Sequence, residues 1–468
     1  MSKKNDGKLP IKSSTQTVSI SQAVQLANQY FKAGQWQRAQ TLCQQILQVE
    51  SNNSVALYLL GMIEAQFEHD NAAIALIQKA IQINNTVPVY YGNLGNLFKK
   101  QGQFAEAIKC YQHVIAIEAH SAKAHNNIGN VLEAQNQVVD ALASFQCAIA
   151  LEPNWAEAHT NYSLTLLKNG QLLPGWQEFE WRLKNKEIST PQFKKPKWDG
   201  TALAGRRLLV HWEQGLGDSI QFVRYLPLIK NGTVIFVCQP ALENLFKGLL
   251  GIDILRVNPK LEQEPKIAYD VWVPLLSLPK LFATTLNNIP VAVPYLYPDA
   301  DKVEKWRTRF ETNRFNVGII WAGSPTHKND RNRSCPLFHF AALSKLPNVT
   351  LFSLQKGKAV TQPVPDDMTL ISLTEELIDF SDTAAAIAGL DLVISVDTSV
   401  AHLAGAMGKP VWVLLPVNSD WRWLLERNDS PWYPTMRLFR QSVFGDWESV
   451  FHQVAEELFL EMQCDLEK

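Results

Sequence analysis

Three stretches of this chain place glycine and polar residues where an apolar run gives way to a helical pattern, and a fourth puts aromatic and charged residues in a loop after a strand, which is where backbone amides and side chains can meet a ligand. The first reads LLVHWEQGLGDSIQFVRYLPLI, Leu208 to Ile229. Its strand, 206–212, ends in a turn where Gly215 and Gly217 let the backbone bend sharply and approach a bound molecule. Asp218 stands where the helix opens, and two readings of it stay open: a helix N-cap, or a carboxylate that accepts a proton from a substrate. A dinucleotide fingerprint needs a third glycine, and that position is Ile220.

The second stretch, VISVDTSVAHLAGAMGKP, runs from Val393 to Pro410 and delivers Asp397 and Thr398 to the carboxyl end of an apolar strand. A helix then starts, with small residues to pack on a sheet and His402 one turn in. Free amides at a helix N-terminus, joined by the Thr398 and Ser399 hydroxyls, suit a phosphate; the alternative is a capped helix with a structural histidine. The third stretch, WAGSPTHKNDRNRSCPL, follows strand 316–322 and gathers Lys328, Arg331 and Arg333, cations able to neutralise a leaving diphosphate unless they form a solvated loop. In the fourth, PVNSDWRWLLERNDSPWYPTMRLFRQ, Trp421, Trp423 and Trp432 accompany Asp420 and Arg422. Aromatic faces beside acids and arginines suit a sugar or a nucleobase, and they equally suit packing between domains. No acidic pair is placed to hold a divalent ion, since PDD at 365–367 falls in a loop, so no metal and no cofactor is expected.

The elements that position these residues alternate. From about residue 190 short apolar runs (RRLLVHW, GTVIFVC, IDILRV, YDVWVPL) exchange with helical stretches at 218–230 and 240–250, the mark of a parallel sheet with crossover helices. The proline-rich IPVAVPYLYPDA interrupts, and a second set follows: NVGIIWAG, VTLFSLQ, MTLISL, DLVISVD, PVWVLLP and MRLFRQ, with helices at 300–312, 338–345, 379–390 and 399–407. Two Rossmann-like halves, 190–298 and 299–468, joined by a proline-rich linker fit the GT-B architecture, in which ligands sit between the carboxyl ends of both sheets. A last helix, about 446–462, is a candidate to cross back onto the first half.

The first third is different. Ala27, Gly61, Gly95, Gly129 and Ser163 recur at a step of 34, as do Ala39, Ala73, Ala107, Ala141 and Gly175. Leu60, Leu94, Ile128 and Tyr162 precede the first series, and Ile77, Tyr111 and Phe145 follow the second by four. Each unit is therefore a pair of amphipathic helices whose small residues allow close approach and whose large ones fill the seam. Gly34, Gly102 and Gly170 mark turns within units, and Pro153 a break between them. The pattern resembles the tetratricopeptide repeat, with units at 20–53, 54–87, 88–121 and 122–155 and a degenerate fifth at 156–189, after a disordered tail at 1–19. The resemblance implies an α-solenoid whose concave groove takes a peptide, protein or glycan acceptor. Asn93, Asn127 and Asn161 share the step of 34, and in the protein O-GlcNAc transferases a ladder of such asparagines grips the acceptor.

Composition bounds the function. A formal net charge of -1 and a pI near 6.8 argue against nucleic acid as a partner. No apolar run approaches the roughly 20 residues of a membrane span, and the polar start MSKKNDGKLPIKSSTQ is unlike a signal peptide, so a cytoplasmic protein is expected. The six cysteines are scattered without a CxxC pair, which suggests buried thiols rather than a disulfide framework or zinc.

GLGDSIQF, WAGSP and VISVDTSVAHLAGAMGKPVWVL together resemble the glycosyltransferase family 9 proteins, the ADP-heptose:lipopolysaccharide heptosyltransferases and their relatives, over roughly 205–445. The resemblance implies that Asp218 is the catalytic base, that Asp397, Thr398 and His402 contact the donor diphosphate region, and that Ser324 and Lys328 contribute to the same site. The chain departs from that family at Ser399, where glycine is usual, and in carrying repeats. The combined expectation is an inverting, metal-independent transferase that moves a sugar from a nucleotide-diphosphate donor, fused to an acceptor-binding or partner-binding array. The alternatives are a repeat scaffold with an inactive sugar-binding relic, and a Rossmann epimerase or dehydrogenase; the missing third glycine and the lack of a Tyr-x-x-x-Lys pair count against the latter.

Overall fold

The computed structural model of the chain describes residues 8–10, 17–185, 193–260, 264–327 and 329–466. They form two compact units, Met1–Ala158 and His159–Lys468. In the expected tail, β1 (Lys8–Pro10) and β2 (Thr17–Ser19) pair antiparallel; the rest of it lies outside the described residues.

The first unit stacks four helix pairs: α1 (Ile20–Lys32) with α2 (Trp36–Val49), α3 (Ser54–Gln66) with α4 (Asp70–Ile83), α5 (Pro88–Lys100) with α6 (Phe104–Ile117), and α7 (Ala122–Ala134) with α8 (Val138–Leu151). Local chemistry starts them. Ser19 and Gln22 form a capping box on α1, the Asn53 side chain accepts from the Ala56 amide at 3.0 Å, and Pro88 occupies the first turn of α5. The small-residue series does what its spacing predicts. A Cβ on Gly61 would lie 2.8 Å from Ile77, one on Gly95 2.7 Å from the Tyr111 ring, and one on Gly129 2.6 Å from Phe145. In each pair the bulky residue of the second helix fills the place of the absent side chain of the first.

In the second unit the last turns of α9 (Ala156–Lys168), α10 (Leu172–Phe179) and a 3-10 turn over Glu180–Lys184 join the α/β region. Leu167, Leu172, Trp176 and Phe179 belong to the same apolar core as the first sheet, and the Trp176 indole donates to the Thr284 carbonyl at 3.1 Å. The helix pair that would close the array thus packs as part of the second unit. Of the expected connector, 186–192 lie outside the described residues.

The first sheet holds β3 (Arg207–His211), β4 (Thr233–Cys238), β5 (Ile254–Val257) and β6 (Val271–Pro274), all parallel in the order β5-β4-β3-β6. Helices α11 (Leu216–Phe222), α12 (Glu243–Phe246) and α13 (Leu278–Leu281) belong to it. The single helix expected at 218–230 is shorter: α11 passes into a 3-10 turn at Val223–Leu228, because Pro227 has no amide hydrogen to donate one turn back.

After α14 (Ala300–Arg307), the second sheet takes β7 (Phe315–Ile320), β8 (Val349–Ser353), β9 (Ile371–Ser372), β10 (Leu392–Val396), β11 (Val411–Leu415) and β12 (Met436–Arg440), parallel in the order β12-β11-β10-β7-β8-β9. Its helices are α15 (Asp330–Arg333), α16 (Ala341–Ser344), α17 (Phe380–Ala388), α18 (Ser399–Ala406) and α19 (Trp447–Leu466). Strands β8, β10 and β11 are buried at every residue, as parallel strands covered on both faces must be. The last helix does not cross onto the first sheet. Trp447, Val450, Phe451, Val454 and Leu458 pack with Val317, Ile319 and Trp412 of the second, where their apolar stripe finds its partner.

Strand order reverses between β3 and β6 in one sheet and between β7 and β10 in the other. At such switch points neighbouring crossovers leave to opposite faces and open a crevice at the strands' carboxyl ends.

Candidate functional site

Both crevices open into one cavity of about 750 Å³. From the first sheet it is lined by Gln214, Gly215, Leu216, Gly217 and Asp218, and from the second by residues after β7 (Ala322 to His327, with Arg333), β8 (Leu354 to Gly357), β10 (Asp397 to Val400, with His402) and β11 (Asp420 and Arg422). The pocket is thus assembled from the carboxyl ends of strands in both sheets.

The loop after β3 is held firmly. Gln214 takes a left-handed φ of 57°, the Gly215 amide donates to Asp218 Oδ2 at 2.7 Å, and Gln239 accepts from Ser219 Oγ at 2.8 Å and donates to the Gly215 carbonyl at 3.3 Å. Glu213, one residue earlier, turns away from the cavity and takes the buried Arg182 guanidinium at 3.0 and 2.8 Å. Asp218 is therefore both a loop anchor and a cavity group, and its second oxygen pairs with Arg422 Nη2. Burial pushes the Asp218 carboxyl above its usual range, against the pull of Arg422.

On the opposite wall Thr398 caps α18 by position while its side chain bonds Ser395 Oγ at 2.9 Å rather than the helix amides. His402, 5% exposed, has Nδ1 3.0 Å from the Tyr433 hydroxyl and stacks on Trp423 at 5.3 Å. Burial, then the charges of Arg422, Arg224 and Arg333, hold its pKa well below the ordinary histidine value, so the ring is neutral. Asp397 is pushed up to about 6, first by burial and then by the neighbouring Asp420.

Of the expected site residues, Gly215, Gly217, Asp218, Ser324, Asp397, Thr398, Ser399, His402, Asp420 and Arg422 all line the cavity. Lys328 lies outside the described residues. Arg331 is exposed and away from the lining; Arg333 takes its place, donating to the Asp397 carbonyl at 3.1 Å. Two residues apart on one helical turn, the two side chains leave the axis on roughly opposite sides, and Asp330 and the Asp397 carbonyl hold Arg333 on the inner one. Trp421 is not among the lining residues: it is buried, with Trp176 at 5.3 Å, Trp432 at 5.9 Å and the Arg422 guanidinium over its ring at 4.4 Å, which is the packing reading of this tryptophan. Sequence reasoning passed over Gln355, Lys356 and Gly357, although they follow an apolar strand as the other site residues do. The Lys356 ammonium donates to the Thr374 and Leu377 carbonyls at 2.9 Å each, and the Gln355 amide ties down the backbone of Trp321 and Ala322. Among the described residues no cluster of His, Cys, Asp or Glu is placed to hold a metal ion.

In the first unit Asn93 and Asn127 are half-buried at matching positions of α5 and α7, and Asn93 Nδ2 donates to the Tyr58 hydroxyl at 2.6 Å. Asn161 is half-buried on α9, in the second unit.

The helical unit and the two parallel sheets define a repeat protein with an appended α/β region. Family models agree for the repeats: one described as tetratricopeptide repeat matches residues 24–88 and one described as TPR repeat matches 95–136. The first unit is a tetratricopeptide-repeat array, a fold that binds peptides or proteins.

Among curated proteins the chain is similar to Protein FlbA of Caulobacter vibrioides, 26% identical over 321 residues, covering 63% of this chain and 53% of FlbA. It is also similar to a UDP-N-acetylglucosamine–peptide N-acetylglucosaminyltransferase of Caenorhabditis elegans, 30% identical over 89 residues, 19% of this chain and 8% of that enzyme. The chain thus spans about half the length of the first relative and a small part of the second. Among solved structures it is similar to MamA, at 21% identity and a TM-score of 0.32 over 34% of this chain and 94% of MamA. It is similar as well to YrrB, a TPR protein with an unusual peptide-binding site, at 18% identity and a TM-score of 0.31 over 35% and 85%. No helix among the described residues is long and apolar enough to cross a membrane.

Proposed function

We propose that the α/β region is a GT-B glycosyltransferase of the family 9 type, inverting and metal-independent, and that the repeats bind its acceptor or a partner. The observation that carries the reading is the convergence of the Gly215–Asp218 turn and the Asp397–His402 strand-to-helix junction, one from each parallel sheet, on a single cavity. Its size is that of a small-molecule site. The nucleotide-diphosphate sugar would lie along the second sheet, with its phosphates at the first amides of α18 and beside Arg333. Asp218 would take the proton of an acceptor hydroxyl entering from the first sheet, as that oxygen attacks the anomeric carbon opposite the leaving nucleotide. The likeness of the chain to a named peptide N-acetylglucosaminyltransferase supports a peptide or protein acceptor, with Asn93 and Asn127 reaching the acceptor's backbone.

A panel of nucleotide sugars tested by thermal shift on the full chain checks this. One donor should raise the melting temperature by mass action, and His402→Ala should weaken that donor's binding. Asp218→Asn should lower sugar transfer by roughly 10²–10⁴-fold. If no nucleotide sugar shifts the melt, the donor reading is wrong. Acceptor binding unchanged in Asn127→Ala would remove the asparagine groove.

A further inference from the structure

Arg422 carries five N–H donors in a rigid fork. Nε donates to Gln221 Oε1 at 2.6 Å, Nη1 to Asp420 Oδ1 at 2.9 Å, and Nη2 to Asp218 Oδ1. Its two remaining N–H groups make no hydrogen bond among the described residues, and the residue lines the cavity. The Arg422 and Asp218 side chains are 10% and 13% exposed, so their attraction is little screened. The other oxygen of Asp218 accepts the Gly215 amide at 2.7 Å.

This pairing sets two demands against each other. A carboxylate held by a guanidinium is a poor base, and a guanidinium neutralised by a carboxylate is a poor anion site. Arg333 has a carboxylate partner of its own, Asp330 on Nε at 3.4 Å, but it makes no hydrogen bond to Asp218, and its Nη1 is bound to the neutral carbonyl of Asp397. Both demands are met if a second anion can replace Asp218 on Arg422. Asp420 stays on Nη1 at 2.9 Å, and the incoming anion takes the place of Asp218 on Nη2, so the buried guanidinium loses none of its compensation during the exchange.

We propose that Asp218 and the diphosphate of the donor compete for Arg422, so that donor binding draws the guanidinium off Asp218 and frees that carboxylate to accept the acceptor's proton. The proposal rests on the donor reading given above. It makes the order of events a property of one side chain: the base becomes competent after the leaving group is held. Asp218 stays in place during the exchange through the Gly215 amide.

Calorimetric titration of the full chain with inorganic pyrophosphate tests it. Asp218→Asn keeps the oxygen that accepts from Gly215 and removes the carboxylate on Nη2 while Asp420 stays on Nη1, so it should bind pyrophosphate about tenfold more tightly than wild type. Asp397→Asn removes a carboxylate from the same cavity that makes no hydrogen bond to Arg422, and its gain should be much smaller. Arg422→Lys, which loses the planar fork, should bind about tenfold more weakly. Wild-type affinity in Asp218→Asn, or an equal gain in Asp397→Asn, overturns the competition while leaving the donor reading intact. If no form binds pyrophosphate and no nucleotide sugar shifts the melt, both fall together.

Discussion

A Cβ placed on Gly217 would lie 2.9 Å from Cδ2 of His402 and 3.5 Å from the Cα of Ser399. The first turns of α11 and α18 therefore touch through a side chain that is not there. His402 cannot easily yield, being hydrogen-bonded to Tyr433 and stacked on Trp423.

Gly217→Ala should then press the two helices apart by a few tenths of an ångström and destabilise the second unit by about 1–3 kcal/mol, the usual cost of overpacking. It removes no polar group, so weaker nucleotide-sugar binding in this variant would report the spacing of the helices alone. A melting temperature and an affinity equal to wild type would show that the contact is slack.

Asp397 carries a pH signature. Its folded pKa of about 6 lies above the ordinary aspartate value of 3.8, so the folded chain holds this proton more tightly than the unfolded one. The penalty for ionising it is absent below about pH 4, grows as pH rises through the folded pKa, and is complete above about pH 7. Asp397→Asn should therefore stabilise the protein by about 1–2 kcal/mol at pH 7.5, after allowance for the partial exposure of the site, and by little at pH 4.5. Melting curves of both proteins at the two pH values check the sign. A gain that is larger in acid would mean that Arg333 and Arg422 stabilise the ionised form more than burial disfavours it.

Much of this architecture was legible because period and burial coincide. The step of 34 located Gly61, Gly95 and Gly129 against Ile77, Tyr111 and Phe145, since a missing Cβ and a large partner are recorded in the same residues. Strand ends were legible for a similar reason: Asp218 and Asp397 each follow an apolar run that parallel pairing buries on both faces. What escaped was direction. Nothing in DRNR distinguishes Arg331, which faces solvent, from Arg333, which enters the cavity. Nothing local marks Trp421 as a neighbour of Trp176, which comes from a helix pair 245 residues earlier in the chain. The hold of Arg422 on Asp218 spans 204 residues and could not be read from either motif alone.

Turn chemistry in the array gives a stabilising change. Gly34, Gly102 and Gly170 turn with φ of 70°, 74° and 74°, and the two intervening turns place Glu68 at 63° and Asn136 at 57°. Asparagine tolerates that conformation, whereas glutamate strains in it. Glu68→Gly should raise stability by about 0.5–1 kcal/mol, the relief of strain being partly offset by the greater freedom of glycine in the unfolded chain. Helical circular dichroism followed through thermal melting measures it, and a lower melting temperature would show that the Glu68 side chain contributes contacts that outweigh its backbone.

The buried pair of Arg182 and Glu213 fixes the start of the loop that ends in Asp218. Arg182 is fully enclosed, donates to Glu213 through Nε and Nη2, and also reaches Ser277 at 3.1 Å and Glu180 at 3.2 Å. Glu213→Gln leaves a buried guanidinium short of charge and should cost about 3–5 kcal/mol. Of the 14 tryptophans all but Trp36 and Trp155 lie in residues 159–468, so tryptophan fluorescence during urea unfolding reports chiefly on the second unit. The midpoint seen by fluorescence should fall in Glu213→Gln, and a second replacement, Arg182→Met, should recover much of the loss by removing a buried charge left with Glu180 alone to balance it. If the double variant is no more stable than Glu213→Gln alone, the pair's contribution lies in the hydrogen bonds to Ser277 and Glu180 rather than in its charge.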